Sequence, residues 1–228
     1  MKFLIVNGDD FGASRGINRG ILEAHERGIL TSTSLLVKTP WSEEAAELSR
    51  DAESLSVGLH VDLGKEPGPT TGSQGRLREE LRRQFARFQE LMHRRPTHLD
   101  SHHNVHRDPQ ALPLFLELAE EHGLPLREHS SARYFSKFYG QWGGQTHLEQ
   151  LGVESLARML ATEIGDGFTE LGCHPGYVDP DYPSGYSTER EAELRTLCHP
   201  RIRQALAEQA IQLVSHHDLG KLVVISAT

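Results

Sequence analysis

Phe3-Leu4-Ile5-Val6-Asn7-Gly8-Asp9-Asp10-Phe11-Gly12 opens with four apolar residues that stop at two adjacent carboxylates. A short apolar run ended by glycine and polar residues reads as a buried strand, here with chemistry at its carboxyl end. The arrangement recurs at Val57-Gly58-Leu59-His60 and at Thr97-His98-Leu99-Asp100-Ser101-His102-His103-Asn104-Val105-His106. Working outward, strands are expected near 2–7, 32–37, 55–61, 97–102, 124–127, 168–173 and 211–215. Helices are expected near 14–28, 41–50, 76–94, 109–122, 153–164, 188–196 and 199–209. This alternation is the pattern of parallel βα units, and seven units fit better than eight. In (β/α) barrels the active site lies at the carboxyl ends of the strands. Three long loops, 64–75, 129–144 and 177–187, fall on that same side.

The 228 residues suit a single domain spanning the chain. A net charge of −8, with no cluster of Lys and Arg, argues against a nucleic-acid partner. The opening apolar run is too short for a secretory core, and no stretch is long enough to cross a bilayer, so a cytoplasmic protein with no membrane partner is expected. Cys173 and Cys198 have no metal-site spacing and read as ordinary thiols of a reducing compartment. Histidine stands out at 14 residues, five of them between His93 and His106.

Asp10, His60 and His102 come from three strand ends and form the candidate metal set. One carboxylate and two imidazoles leave coordination positions free for water and substrate, which distinguishes catalytic from structural sites. Such donors suit Zn, Mn, Co or Fe, and Mg if waters complete an octahedron. The bland alternative makes Asp10 a turn cap and His60 a satisfied core histidine. Asp9 is then free to exchange a proton, provided that the chain turns at Asp9-Asp10, a turn that Gly8 and Gly12 would permit. Strand alternation puts Asp100 behind His102 as an orienting carboxylate, and leaves His106 beyond the strand end, able to reach ligand or water. His174, in Cys173-His174-Pro175-Gly176-Tyr177, is the natural general acid, and Arg127 would hold Asp9 ionised. Five aromatics, Tyr134, Phe135, Phe138, Tyr139 and Trp142, crowd the 129–144 loop. Tyr139 and Trp142 are candidate stacking surfaces for a sugar, or else part of a satellite core or a subunit contact.

Together with Thr31-Ser32-Thr33-Ser34, these motifs run in order over nearly the whole chain, which closely resembles the YdjC-like carbohydrate deacetylases, a family that includes chito-oligosaccharide deacetylases. The resemblance implies a distorted TIM-like (β/α) barrel related to polysaccharide deacetylases, and a divalent metal, most often Mg. It implies metal ligands at Asp10, His60 and His102, an aspartate base at Asp9 and a histidine acid at His174. The expected reaction is removal of acetyl groups from N-acetylated sugars. Two positions depart from the pattern: Asn104 stands where many relatives carry a third consecutive histidine, and Gly8 where alanine is common. Competing readings are a glycoside hydrolase using Asp9 and Asp10 as its acid and base, or a non-catalytic sugar- or metal-binding module. Assembly into a homo-oligomer stays open.

Overall fold

The structure, a computed structural model, describes residues 1–64, 74–180, 182 and 184–222, so most of the expected 64–75 loop lies outside the described residues. Its strands are β1 (Lys2–Phe11), β2 (Ser32–Leu35), β3 (Ser56–Val61), β4 (Leu99–Ser101), β5 (Ala132–Phe135), β6 (Gln141–Trp142), β7 (Gln145–Thr146), β8 (Gly167–Cys173) and β9 (Ile211–Leu213). Its helices are α1 (Arg15–Glu26), α2 (Ser42–Leu48), α3 (Gln74–Met92), α4 (Leu112–His122), α5 (Val153–Glu163), α6 (Thr188–Leu197), α7 (Pro200–Glu208) and α8 (Leu219–Leu222). Seven strands form one all-parallel sheet in the order β4-β3-β2-β1-β8-β5, with β9 on the start of β1. The sheet curls into a distorted, TIM-like (β/α) barrel. β6 and β7 form a separate antiparallel hairpin.

Alternation along the strands explains both surfaces of this sheet. Leu4, Val6, Leu35, Val57, Leu59 and Leu171 point outward into the helices and form the main core. Each such fully buried aliphatic side chain contributes about 1.5–3 kcal/mol. The inward series of β1 begins with Phe3 and Ile5, which close the amino-terminal end of the barrel with Ala132, Val214 and Leu219. It continues through Asn7 to Asp9, so the interior turns polar towards the carboxyl ends. No helix among the described residues is long and apolar enough to cross a membrane.

One strand differs from expectation. Residues 124–127 contribute only a single bridge, Leu99 to Leu126, and β5 takes the expected fifth place from within the 129–144 segment. The reason is local: Pro125 lacks a donor, and Glu128 sits at φ +66°, which ends the extended run before it can lengthen. Ala132-Arg133-Tyr134-Phe135 is buried at its two ends, Ala132 and Phe135, and pairs with β8.

Candidate active site

The two carboxylates are brought to one cavity by a break in β1. Its pairing with β2 slips between Gly8 and Phe11, and Asp10 itself adopts the left-handed conformation at φ +69°. The turn expected at this point is therefore made by Asp10, followed by Gly12 at φ +91°, and not by Gly8. Ser14 caps α1, its hydroxyl accepting the Ile17 N–H, and Asn18 accepts the Gly12 N–H at 2.7 Å, so the bulge is tied to the start of the helix. The strain of a non-glycine residue at positive φ is thus placed at the chemistry.

Register supplies the neighbours. Gly8 pairs with Cys173, so Asp9 and His174 follow at the same level. The separation from His174 Nε2 to Asp9 Oδ2 is 3.9 Å. His60 lies opposite Asp100 across β3 and β4, and His60 Nδ1 meets Asp100 Oδ1 at 2.8 Å. This corrects one expectation: Asp100 stands behind His60, not His102. His102 keeps the inward face that alternation gives it, but β4 ends at Ser101 and His102 opens a 3-10 turn with His103 and Asn104 at positive φ, so Asp100 meets the His60 imidazole across the ladder instead. His102 Nδ1 lies 3.0 Å from Asp10 Oδ1, while His60 Nε2 lies 3.4 Å from the same oxygen.

Arg127 is 2 % exposed and joins three carboxylates. It donates to both oxygens of Asp9 at 2.8 Å, to Glu170 Oε1 at 2.7 Å, and meets Asp100 Oδ2 at 2.7 Å. Burial alone would raise the Asp9 carboxyl, but the Arg127 guanidinium overrides it and holds Asp9 below the usual carboxylate range. Burial opposes charge on His60 as well, yet Asp100 and Asp10 on its two nitrogens lift it to about 10. For His174, burial outweighs the nearby Asp9 and Asp10 and pushes the imidazole down to about 4, so it is neutral in the resting site.

The cavity measures about 780 Å³, room for a sugar of more than one ring. Asp9, Asp10, His60, His102, His174 and Tyr139 line it. Four candidates do not: Arg127 and Asp100 lie behind Asp9 and His60, which they hold, and the other two stand apart. His106 is fully buried, its Nδ1 against Ser101 Oγ at 2.6 Å and its Nε2 3.4 Å from Glu128, where it braces the turn that carries His102. Trp142 lies on the hairpin, half exposed, stacked on His147 at 3.7 Å.

Helix α6 carries residues that the sequence reading missed. Arg190 Nη2 donates to Asp10 Oδ2 at 2.5 Å. Glu193 accepts from the His174 backbone N–H and from the Tyr186 hydroxyl, and burial raises it to about 8. Glu189 accepts from Gln141 and Thr146 of the hairpin. The available signal was compositional: 188–197 is polar nearly all round, and such a helix packed in an α/β domain must bury some of its charges. A second positioning device lies in α1, where Gly20 lets the helix touch the loop after His174. A Cβ there would stand 2.5 Å from Gly176 Cα.

Ligand atoms of Asp10, His60 and His102 lie within 4.8 Å of one another, and Asp10 Oδ1 is buried without a hydrogen-bond partner among the described residues. In the same buried cluster the four carboxylates of Asp9, Asp10, Asp100 and Glu170 meet two guanidiniums and the His60 imidazolium, so a divalent cation that displaces the His60 proton would balance the two negative charges then left over. The donor set therefore fits such an ion.

The YdjC-like protein family model matches residues 3–208. A carbohydrate deacetylase of Geobacillus stearothermophilus is 36 % identical, covering 97 % of this chain and 99 % of its own length. A chitooligosaccharide deacetylase of Serratia marcescens is 38 % identical over 96 % of this chain and 99 % of its own. Among solved structures, a putative cellobiose-phosphate cleavage protein of Enterococcus faecalis V583 superposes with TM-score 0.82 at 28 % identity, covering 96 % of this chain and 98 % of that one. A family 4 carbohydrate esterase of Streptomyces lividans in complex with acetate shares the fold, with TM-score 0.60 at 15 % identity over 96 % and 95 % of the two chains. With a matching family model over residues 3–208 and full-length relatives above one-third identity, the chain belongs to the YdjC-like protein family.

Proposed function

We propose that the protein is a metal-dependent hydrolase that removes acetyl groups from N-acetylated sugars or chito-oligosaccharides. The observation that carries this reading is the division of labour at the β1 bulge. Asp10 turns an oxygen that accepts no hydrogen bond towards His60 and His102, while Asp9, one residue earlier, is held by Arg127 and faces His174. The names of the two full-length relatives support the substrate class.

Asp10, His60 and His102 would hold the ion, with Asp100 fixing the His60 ring. A divalent ion there supplies Lewis acidity towards a water and the acetyl carbonyl. Asp9, kept ionised, takes the proton of the attacking water. His174 protonates the departing sugar amine through Nε2, and its neutral resting state means that the proton it delivers is acquired within the same turnover. Tyr139, stacked on Tyr186 at 4.8 Å beside the cavity, offers a flat face to the sugar. Magnesium as the ion and a cytoplasmic location belong to the same proposal.

A glycoside hydrolase would need one carboxyl of the pair kept protonated. Here each is paired with its own guanidinium, Asp9 with Arg127 and Asp10 with Arg190. The test incubates the protein and a divalent ion with a panel of N-acetylated mono- and oligosaccharides. Released acetate without new reducing ends supports the proposal, and new reducing ends or neither product sinks it. Asp9→Asn and His174→Ala should each keep the ion and lose most of kcat.

A further inference from the structure

Arg190 has no task in the proton transfers above, yet it is 5 % exposed and reaches the site from α6, outside the strands that supply Asp10, His60 and Asp9. Its Nη2 donates to Asp10 Oδ2 at 2.5 Å. A fixed positive charge beside a carboxylate assigned to a cation works against that cation. An oxygen already engaged by a guanidinium is also withheld from it. What remains is Oδ1, buried without a hydrogen bond and facing both imidazoles.

The guanidinium is set in place by contacts that do not involve Asp10. Its Nε donates to the Tyr186 carbonyl at 3.1 Å, its Nη1 lies 3.5 Å from the His174 carbonyl, and the Tyr186 ring lies 5.8 Å from its centre. The Arg190 carbonyl in turn accepts the Gly176 N–H at 3.2 Å. Arg190 is thus anchored between α6 and the loop that carries His174, and Asp10 must conform to it.

We propose that Arg190 is a positioning residue that confines Asp10 to a single coordinating oxygen and weakens the hold on a divalent ion, so that coordination positions stay open for water and substrate. This rests on the reading that Asp10, His60 and His102 hold the ion. A carboxylate free to bind through both oxygens would fill a position that a catalytic site keeps vacant. Tight binding is therefore given up for reactivity.

Titration calorimetry of chelator-treated protein with Mg²⁺ alone and Mn²⁺ alone tests this in the wild type, Arg190→Gln, Arg190→Lys and Asp10→Asn. Arg190→Gln, lacking the charge, should bind on the order of tenfold more tightly, while its kcat at saturating ion falls. Arg190→Lys keeps the charge and should bind as the wild type does. Arg190→Met retains the packed stem and replaces Arg190→Gln should that variant not fold. A neutral variant that binds no more tightly than the wild type overturns the inference. If Asp10→Asn leaves wild-type ion binding unchanged, the ligand assignment itself fails. Binding that depends on Asp10 but does not tighten in Arg190→Gln sinks only the role of Arg190.

Discussion

Replacing Arg127 by Met tests the electrostatic frame of the site. Arg127 is the shared partner of Asp9, Asp100 and Glu170, and each of these is at most 5 % exposed. Breaking one buried ion pair typically costs about 3–5 kcal/mol, because the remaining charge has no water to turn to. Three carboxylates lose a partner here, and Asp9 and Glu170 limit the damage by taking up protons, so a loss of about 3–5 kcal/mol is expected at neutral pH. The sign of the pH dependence is the sharper observable. In the wild type the folded pKa of Asp9 is lowered, so its contribution to stability is present above the unfolded value of about 4 and is lost as pH falls. In Arg127→Met the strongest opposing charge is gone and burial outweighs the weaker pull of His60 and His174 on Asp9, so the folded Asp9 carboxyl rises and its contribution to stability falls as pH rises above about 4. Urea unfolding from about pH 3 to 8 reads this in the difference between variant and wild type, in which the Glu193 contribution common to both cancels. Acetate release should drop by about 10²–10⁴, the usual share of a general base. Arg127→Met within ~1 kcal/mol of the wild type, with the same pH slope, would refute the reasoning.

Gly20→Ala places a methyl 2.5 Å from Gly176 Cα, so the His174 loop must move; a stability loss of about 1–3 kcal/mol and a lower kcat at unchanged ion content are expected, by melting, kinetics and metal analysis. Glu193, raised to about 8 when folded, makes the wild type lose stability as pH rises from its unfolded value of about 4.3 to about 8. Glu193→Gln should remove that slope in urea melts, and a slope unchanged from the wild type would reject the raised value. Tyr139→Ala should raise KM for every substrate, since this ring lines the cavity. Trp142→Ala, on the outlying hairpin, should raise KM only for longer oligosaccharides; earlier melting with KM intact would make both rings structural.

Much of the frame was legible because the barrel sorts residues by alternation. In Val57-Gly58-Leu59-His60 the aliphatics turn to the helices and His60 to the interior, and the opening run Phe3 to Asp9 obeys the same rule. Legibility failed where the backbone leaves the strand. Asp10 and the His103-Asn104 turn lie at positive φ, so period-two reasoning could not tell which imidazole Asp100 would meet. The fifth strand was misplaced for a related reason, since Glu128 breaks the extended run after Pro125 and the aromatic stretch that looked like a loop pairs with β8. Arg190 and Glu193 escaped notice because their partners, Asp10 and His174, are 180 and 19 residues away, and no local pattern encodes such a contact.

Acetate release from an N-acetylated chito-oligosaccharide, measured on chelator-treated protein as a divalent ion is titrated back, tests the central claim most directly. The account predicts no release before ion is added, a rise that saturates at one ion per chain, and no recovery in His60→Ala at the same ion concentrations. Full release from the chelated protein, or normal recovery in His60→Ala, would contradict it.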